Sequence, residues 1–363
     1  MYIFFFIFLG SYILGNIYVF FRGMQAICNS PVYAKVLFTI VYWCLALLII
    51  MTYATRKSNL PNSLSHFLYE VGNGWLVFTL YMVIALLAMD LIRLFNREFS
   101  WGFVIAFLLT IGLLSYGYYT YKHPKTQVIN IDINKPVNTA GKALKVVAIS
   151  DLHLGNGANK KQLQKYILMI KKEQPDLILI GGDLIDNSVA PLYYQKMAEE
   201  LSQLHAPFGV YMVPGNHEYI SGIRESIGYI RRLPFHFLQD SVVTLSNGVQ
   251  IVGRDDRSNH SRKSLSELMQ AVDPDKPVIL LDHQPYDLDK TEAAGVDLQF
   301  SGHTHHGQVW PMNWLTDHLF EVSHGYKKKG NSHIYVSSGL ALWGPPFRIG
   351  TSSEMVVFRL TFK

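Results

Sequence analysis

The sequence predicts an α/β sandwich of two mixed sheets flanked by helices, preceded by an N-terminal region of four membrane-spanning helices. Three observations predict it. Residues 1–122 hold four long stretches without a single Asp, Glu, Lys or Arg, and the remainder alternates short apolar runs with amphipathic ones. The later strand-like runs then follow one another with few helices between them, which favours mixed sheets over a purely parallel, doubly wound one.

The four apolar stretches are Met1–Phe21, Val36–Thr55, Val71–Met89 and Phe99–Tyr121. Each is about long enough to cross ~30 Å of hydrocarbon. They account for a hydrophobic content of 49%, too high for an ordinary soluble protein. The first is not a cleaved signal peptide by its pattern: it lacks a basic leader, its apolar run is too long, and no Ala-x-Ala-like site follows. Tyr18, Tyr33, Trp75, Trp101, Tyr118, Tyr119 and Tyr121 lie near the proposed ends, where interfacial aromatics belong. Close to the membrane the basic residues balance, Arg56, Lys57, Lys122 and Lys125 against Arg22, Lys35, Arg93 and Arg97. Counting Lys135, Lys142 and Lys145 tips the balance toward a cytoplasmic C-terminal domain.

Cys28 and Cys44 both fall in or beside the spans, so neither a disulfide framework nor a thiolate metal site is expected. A formal charge of +5 with no basic run interleaved with aromatics argues against nucleic acid and suits anionic lipid headgroups. No feature points to a protein partner.

After Lys122 the character changes. Residues 123–143 read as a linker and leading strand, with near-alternation of Val128, Ile129, Ile131 and Ile133 with polar residues, and 144–363 as one large domain. Its strand-like runs are Lys145–Ile149, Leu177–Ile180, Gly209–Val213, Gln250–Val252, Val278–Leu281, Val296–Phe300, Ile334–Ser337 and Met355–Leu360. Helix-like stretches are Lys160–Glu173, with Leu163, Ile167 and Ile170 on one face, then Leu192–Leu204, Glu225–Leu233 and Leu265–Val272. Pro175, Pro207, Pro234, Pro274 and Pro277 follow them as terminators.

Five blocks carry chemistry, each directly after an apolar run: Asp151-Leu-His153, Gly182-Asp183-x-x-Asp186, Gly215-Asn216-His217, Asp282-His283 and Gly302-His303-Thr-His305. Taken singly, Asp186, Asn216 or His283 is as readily a turn or core residue. Together they supply carboxylate, amide and imidazole donors and no sulfur, a set suited to two divalent ions, Mn, Fe or Zn rather than Ca. Two such ions ~3.5–4 Å apart activate a hydroxide and neutralise a phosphoryl group undergoing in-line displacement.

In kind and order the five blocks resemble those of the calcineurin-like metallophosphoesterase superfamily. The resemblance implies that Asp151, His153 and His305 hold one metal, that Asn216, His283 and His303 hold the other, and that Asp183 bridges them. It implies further that His217 protonates or stabilises the leaving oxygen and that Asp186 orients His217. Tyr335-Val-Ser-Ser-Gly339 and Pro345-Pro346-Phe347-Arg348, with the four spans, look like the membrane-tethered relatives of UDP-2,3-diacylglucosamine hydrolase. That likeness implies a multi-pass protein of a bacterial cytoplasmic membrane.

Substrate contacts are expected from Arg348, as a bidentate phosphate ligand, and from His306, where many relatives carry Gly. Trp310 and Trp314 belong to an apolar loop that, with Lys327-Lys328-Lys329 following, could dip into the headgroup layer. The implied reaction is hydrolysis of a phosphodiester or pyrophosphate, in a lipid-linked or nucleotide-linked substrate. The same core would serve a phosphomonoesterase or phosphoprotein phosphatase. A non-catalytic membrane scaffold would be marked by lost ligands, and none of the seven is missing.

Overall fold

A computed structural model describes residues 2–55, 60–138 and 143–363. Arg56, Lys57 and Lys142 lie outside the described residues. The chain forms two compact units, Met1–Tyr119 with Gly344–Ile349, and Thr120–Trp343 with Gly350–Lys363.

The first unit contains helices α1 (Tyr2–Ala26), α2 (Val32–Thr55), α3 (Asn62–Phe95) and α4 (Gly102–Lys122), each long and apolar enough to cross a membrane. α1, α2 and α3 run beyond the expected spans because helix formation does not stop where hydrophobicity does: α3 carries Glu70 at one end and Asp90 and Arg93 at the other. Their outer faces expose Leu14, Leu37, Leu91 and Leu108, side chains that only a lipid environment suits. The interior holds Val19, Tyr42, Ala46, Met82 and Leu86. Asn16 is the centre of a buried polar network there: its Oδ1 accepts from Trp75 Nε1 at 2.9 Å, and Tyr42 donates to the Asn16 carbonyl at 2.8 Å. Arg22 pairs with Asp90.

Residues Gly344–Ile349 pack with these helices. The Gly344 N–H donates to Tyr69 Oη at 2.7 Å and the Arg348 N–H to the Gly117 carbonyl at 2.9 Å. Ile349 and Phe347 lie so close to Gly117 that a Cβ there would come within 2.6 Å of the Ile349 side chain.

The second unit is built on two six-stranded mixed sheets. The strands are β1 (Lys125–Ile133), β2 (Ala143–Ile149), β3 (Leu177–Ile180), β4 (Val210–Met212), β5 (His236–Phe237), β6 (Ser241–Thr244), β7 (Gln250–Gly253), β8 (Val278–Leu281), β9 (Leu298–Ser301), β10 (Gly325–Lys329), β11 (Ser332–Val336) and β12 (Glu354–Phe362). One sheet has the order β1-β12-β2-β3-β4-β5 and the other β10-β11-β9-β8-β7-β6. In the first, β2, β3, β4 and β5 are parallel and β12 runs antiparallel to β2. In the second, β7, β8, β9 and β11 are parallel and β6 and β10 are antiparallel edges. The stretch 125–133 is part of the sheet, pairing along its length with β12.

Strand alternation divides the cores. Val146, Ala148, Leu177, Leu179, Ile279 and Leu281 point between the sheets, against Phe300 and Phe358. Val147, Ile149, Ile178 and Ile180 face the opposite way, onto Leu163, Tyr166, Ile167 and Ile170 of helix Lys160–Lys172. That helix starts where Asn159 accepts the Gln162 N–H. The expected helix Leu192–Leu204 is two, Ala190–Tyr194 and Met197–Leu201, broken at Lys196 with φ 53°. The edge strands β5, β6 and β10 escape pattern reading because two of them bury little and the third is only two residues long.

Candidate metal centre

All five blocks sit at the carboxyl ends of parallel strands, the place where open α/β sheets assemble ligand sites. Asp151 and His153 follow β2, Asp183 and Asp186 follow β3, and Asn216 and His217 open the short helix Asn216–Ile220 after β4. His283 follows β8; His303 and His305 follow β9, the latter on a 3-10 turn, His305–Gly307. Parallel pairing sets β2 beside β3, with Ile149 opposite Ile180. The Asp151 N–H then donates to the Gly182 carbonyl at 3.1 Å and the His153 N–H to the Asp183 carbonyl at 3.0 Å.

Apolar strands that end in polar ligands must turn sharply. Asp151, His153, Asp183, His303, His305 and His306 all have left-handed backbones, with φ between 41° and 74°. Each such residue costs about 1–3 kcal/mol, and their concentration here is a mark of function. Small residues let the turns meet. A Cβ on Gly302 would fall 2.2 Å from Asp151 Oδ2, and one on Gly215 would fall 2.2 Å from Asp183 Oδ1.

The side chains converge. Asp151, His153 and His305 offer donor atoms all within 4.8 Å of one another, as do Asp151, Asp183 and His283, and His153, Asp183 and His217. His153 Nε2 and His305 Nε2 are 3.1 Å apart, and His305 Nε2 is 3.4 Å from Asp151 Oδ1. His283 Nδ1 donates to the Gly181 carbonyl at 2.8 Å, which fixes its tautomer and turns Nε2 toward Asp183 Oδ2 at 3.1 Å. Asn216 Oδ1 lies 3.2 Å from His283 Nε2 and 2.8 Å from His303 Nδ1. The structure thus brings all seven expected ligands into one cluster, five of them buried and Asn216 and His303 partly exposed. Its donor set, hard oxygens with imidazole nitrogens facing one another, fits divalent cations.

Electrostatics agree with that chemistry. Burial, reinforced by His217, pushes the His153 imidazole down to about 3, which leaves it neutral and able to accept a cation. Burial raises Asp151 to about 6, while Asp183, despite its burial, is held well below the carboxylate range by His283 and His217. For His217 burial alone would lower the pKa, but Asp183 and Asp186 outweigh it and lift the imidazole to about 9. His217 Nδ1 lies 2.8 Å from the Asp186 carbonyl and 3.5 Å from Asp186 Oδ1, and the His217 N–H donates to Asp183 Oδ1 at 2.8 Å.

Pattern reading missed Glu218. It is fully buried, and its carboxylate accepts the N–H groups of Asp183 at 3.0 Å, Ile185 at 3.0 Å and Gly215 at 2.7 Å. It ties the Asp183 loop to the Asn216 loop. The signal was present in the sequence: an acidic residue three after Gly215 is placed to reach back to the backbone of a helix start. Glu218→Ala leaves three buried donors unpaired, so a loss of stability on the order of 3–5 kcal/mol is expected. Thermal melting of the purified protein checks it, and an unchanged midpoint would refute the clamp.

The expected substrate residues are placed differently. Arg348 is fully buried and belongs to the helical unit. His306 stacks on His324 at 4.9 Å and lies 3.4 Å from Asp317 Oδ1. Trp310 meets Trp314 edge-on at 5.4 Å, and Trp314, on helix Met312–Leu319, is 64% exposed. Lys327 and Lys329 both pair with Glu321, and Lys329 also with Asp289, so two of the three cations expected to meet a lipid phosphate are already engaged.

A family profile described as calcineurin-like phosphoesterase matches residues 144–307. The chain is 32% identical over 266 residues to an uncharacterized metallophosphoesterase of Helicobacter pylori, an alignment covering 71% of this chain and 69% of that protein. It is 27% identical over 380 residues to one of Campylobacter jejuni, covering 99% of each. A Bos taurus protein described as a transmembrane protein with metallophosphoesterase domain is 28% identical over 272 residues, covering 69% of this chain and 60% of that protein.

Proposed function

The chain belongs to the calcineurin-like metallophosphoesterase family, a metal-dependent phosphoester hydrolase with membrane-spanning helices, and on that premise we propose that it cleaves a phosphodiester or pyrophosphate bond in a lipid-linked substrate. The observation that carries the lipid reading is helix Met312–Leu319, seven residues after the ligand His305. None of its side chains is buried, Trp314, Leu315 and Leu319 are exposed, and Phe320 at its end lies 6.2 Å from the ring of His303. An apolar surface beside a phosphoryl centre suits a substrate with an acyl or prenyl part.

Two divalent ions, when bound, supply Lewis acidity and an activated water for in-line displacement. Asp151, His153 and His305 would hold one, Asn216, His283 and His303 the other, with Asp183 shared; Mn, Fe or Zn fits the donors. The chain's own residues do the rest. The Asp186 carbonyl holds His217 through Nδ1, which leaves Nε2 to give a proton to the departing oxygen. His283 is held in one tautomer by the Gly181 carbonyl, and Glu218 keeps the two ligand loops in register. The catalytic unit is assigned to the cytoplasmic side of a bacterial inner membrane on the balance of Lys and Arg.

The test is turnover by purified protein with Mn²⁺ of bis-p-nitrophenyl phosphate against the monoester. The diester is expected to be preferred by about tenfold or more in kcat/KM. In the second arm, Trp314→Ser with Leu315→Ser lowers turnover of a lipid phosphodiester in vesicles while sparing the soluble one. Preference for the monoester would favour a phosphomonoesterase or protein phosphatase, and equal loss on both substrates would remove the lipid reading.

A further inference from the structure

Outside the metal cluster, a strongly cationic groove of about 510 Å³ is lined by Arg254, Arg257, Arg262, Lys263 and His260, with Glu267 and Asp287 as its carboxylates. Its floor is fixed. Arg254 and Arg262 grip the buried Asp282 at 2.7 and 3.2 Å, and Asp282 is the residue before the ligand His283. Its carboxylates are also engaged. Glu267 accepts from the Ser264 N–H at 2.7 Å and its hydroxyl at 2.6 Å, and Asp287 pairs with Arg257 at 3.1 Å and Lys290 at 3.4 Å. Lys263 and His260 have no ion-pair partner among the described residues, and Arg257 lies over the Tyr286 ring at 4.6 Å with one nitrogen committed to Asp287.

The groove is joined to the metal cluster by contacts as well as by chain. Tyr286 packs on Phe320 at 5.0 Å, and Phe320 on His303 at 6.2 Å. Arg257 is therefore three contacts from a candidate metal ligand, by way of Tyr286 and Phe320. A guanidinium over an aromatic ring and an ammonium lining the same groove supply a fork and a point charge, a combination suited to a phosphate group. The volume is that of a ligand pocket rather than of a single ion.

We propose that this groove is a second anion subsite, which receives a phosphate group of the substrate other than the one being cleaved. The cations that meet the polar end of the substrate are then Arg257 and Lys263, where the order of the sequence had pointed to Lys327–Lys329. The proposal rests on the phosphoesterase reading of the metal cluster.

The probes are thymidine 5′-(p-nitrophenyl phosphate) and its 3′-phosphorylated form, two diesters that differ only in a second phosphate. With the full-length, Mn²⁺-loaded protein in detergent, kcat/KM is expected to be about tenfold or more higher for the phosphorylated probe, through a lower KM. In the double variant Arg257→Ala, Lys263→Ala the ratio falls to near one. Because the ratio compares two substrates on one preparation, any loss of folded protein cancels. A wild-type ratio near one, or a ratio that survives in the double variant, overturns the subsite. Absence of Mn²⁺-dependent turnover of bis-p-nitrophenyl phosphate would strike the phosphoesterase reading instead. Competition then separates the sources of the phosphate. Inhibition by phosphatidic acid in mixed micelles but not by glycerol 3-phosphate assigns a lipid headgroup, and inhibition by both assigns the phosphate itself.

Discussion

Asp183→Asn is expected to lower metal-dependent turnover by on the order of 10³-fold, roughly 4 kcal/mol of transition-state stabilisation. The substitution keeps the size of the side chain and one carbonyl oxygen, so the protein should fold. What it removes is the charge in the middle of the cluster. Asp183 Oδ2 is 3.1 Å from His283 Nε2 and 3.7 Å from His153 Nε2, so the carboxylate stands between ligands of both halves. An amide cannot neutralise two cations from there. Elemental analysis of the purified variant should show fewer than two metal ions per chain. A variant that retained both ions and wild-type turnover would mean that Asp183 is not shared.

The second large effect belongs to His217. In His217→Ala, hydrolysis of a diester with a poor leaving group, such as an alkyl or nucleoside alcohol, should fall by about 10²–10⁴-fold. A nitrophenyl ester should suffer far less, because nitrophenolate departs without a proton. Metal content should stay normal. The imidazole is placed by its neighbours, with Nδ1 at 2.8 Å from the Asp186 carbonyl and its ring edge-on to His153 at a centroid distance of 4.4 Å. Equal losses on good and poor leaving groups would indicate that His217 supports the ligands instead of serving the departing oxygen. Lost metal would point the same way.

Much of the site was readable because its parts are local in sequence. An apolar strand followed at once by Asp-x-His or Gly-His-x-His tells where a ligand loop begins, since the strand's burial and the loop's polarity are both written in consecutive residues. Glu218 was harder to see, because its work is to accept N–H groups from residues 183, 185 and 215, and only the fold brings those together. The pairing of the basic run at 327–329 was hidden for the same reason. Charges adjacent in sequence stand on β10 within reach of Glu321 and Asp289, and two of the three cations pair with them.

The sequence by itself determined four apolar stretches long enough to cross a membrane, the alternation of strands and helices, and the seven candidate metal donors, because hydrophobic runs and ligand loops are properties of neighbouring residues. The tertiary structure alone decided which donors face which, that Gly344–Ile349 packs among the helices of the first unit, and that Arg257 and Lys263 line one groove. Those are distances between residues far apart along the chain. They depend on which strands pair and how the two sheets pack, and no local pattern of side chains encodes them.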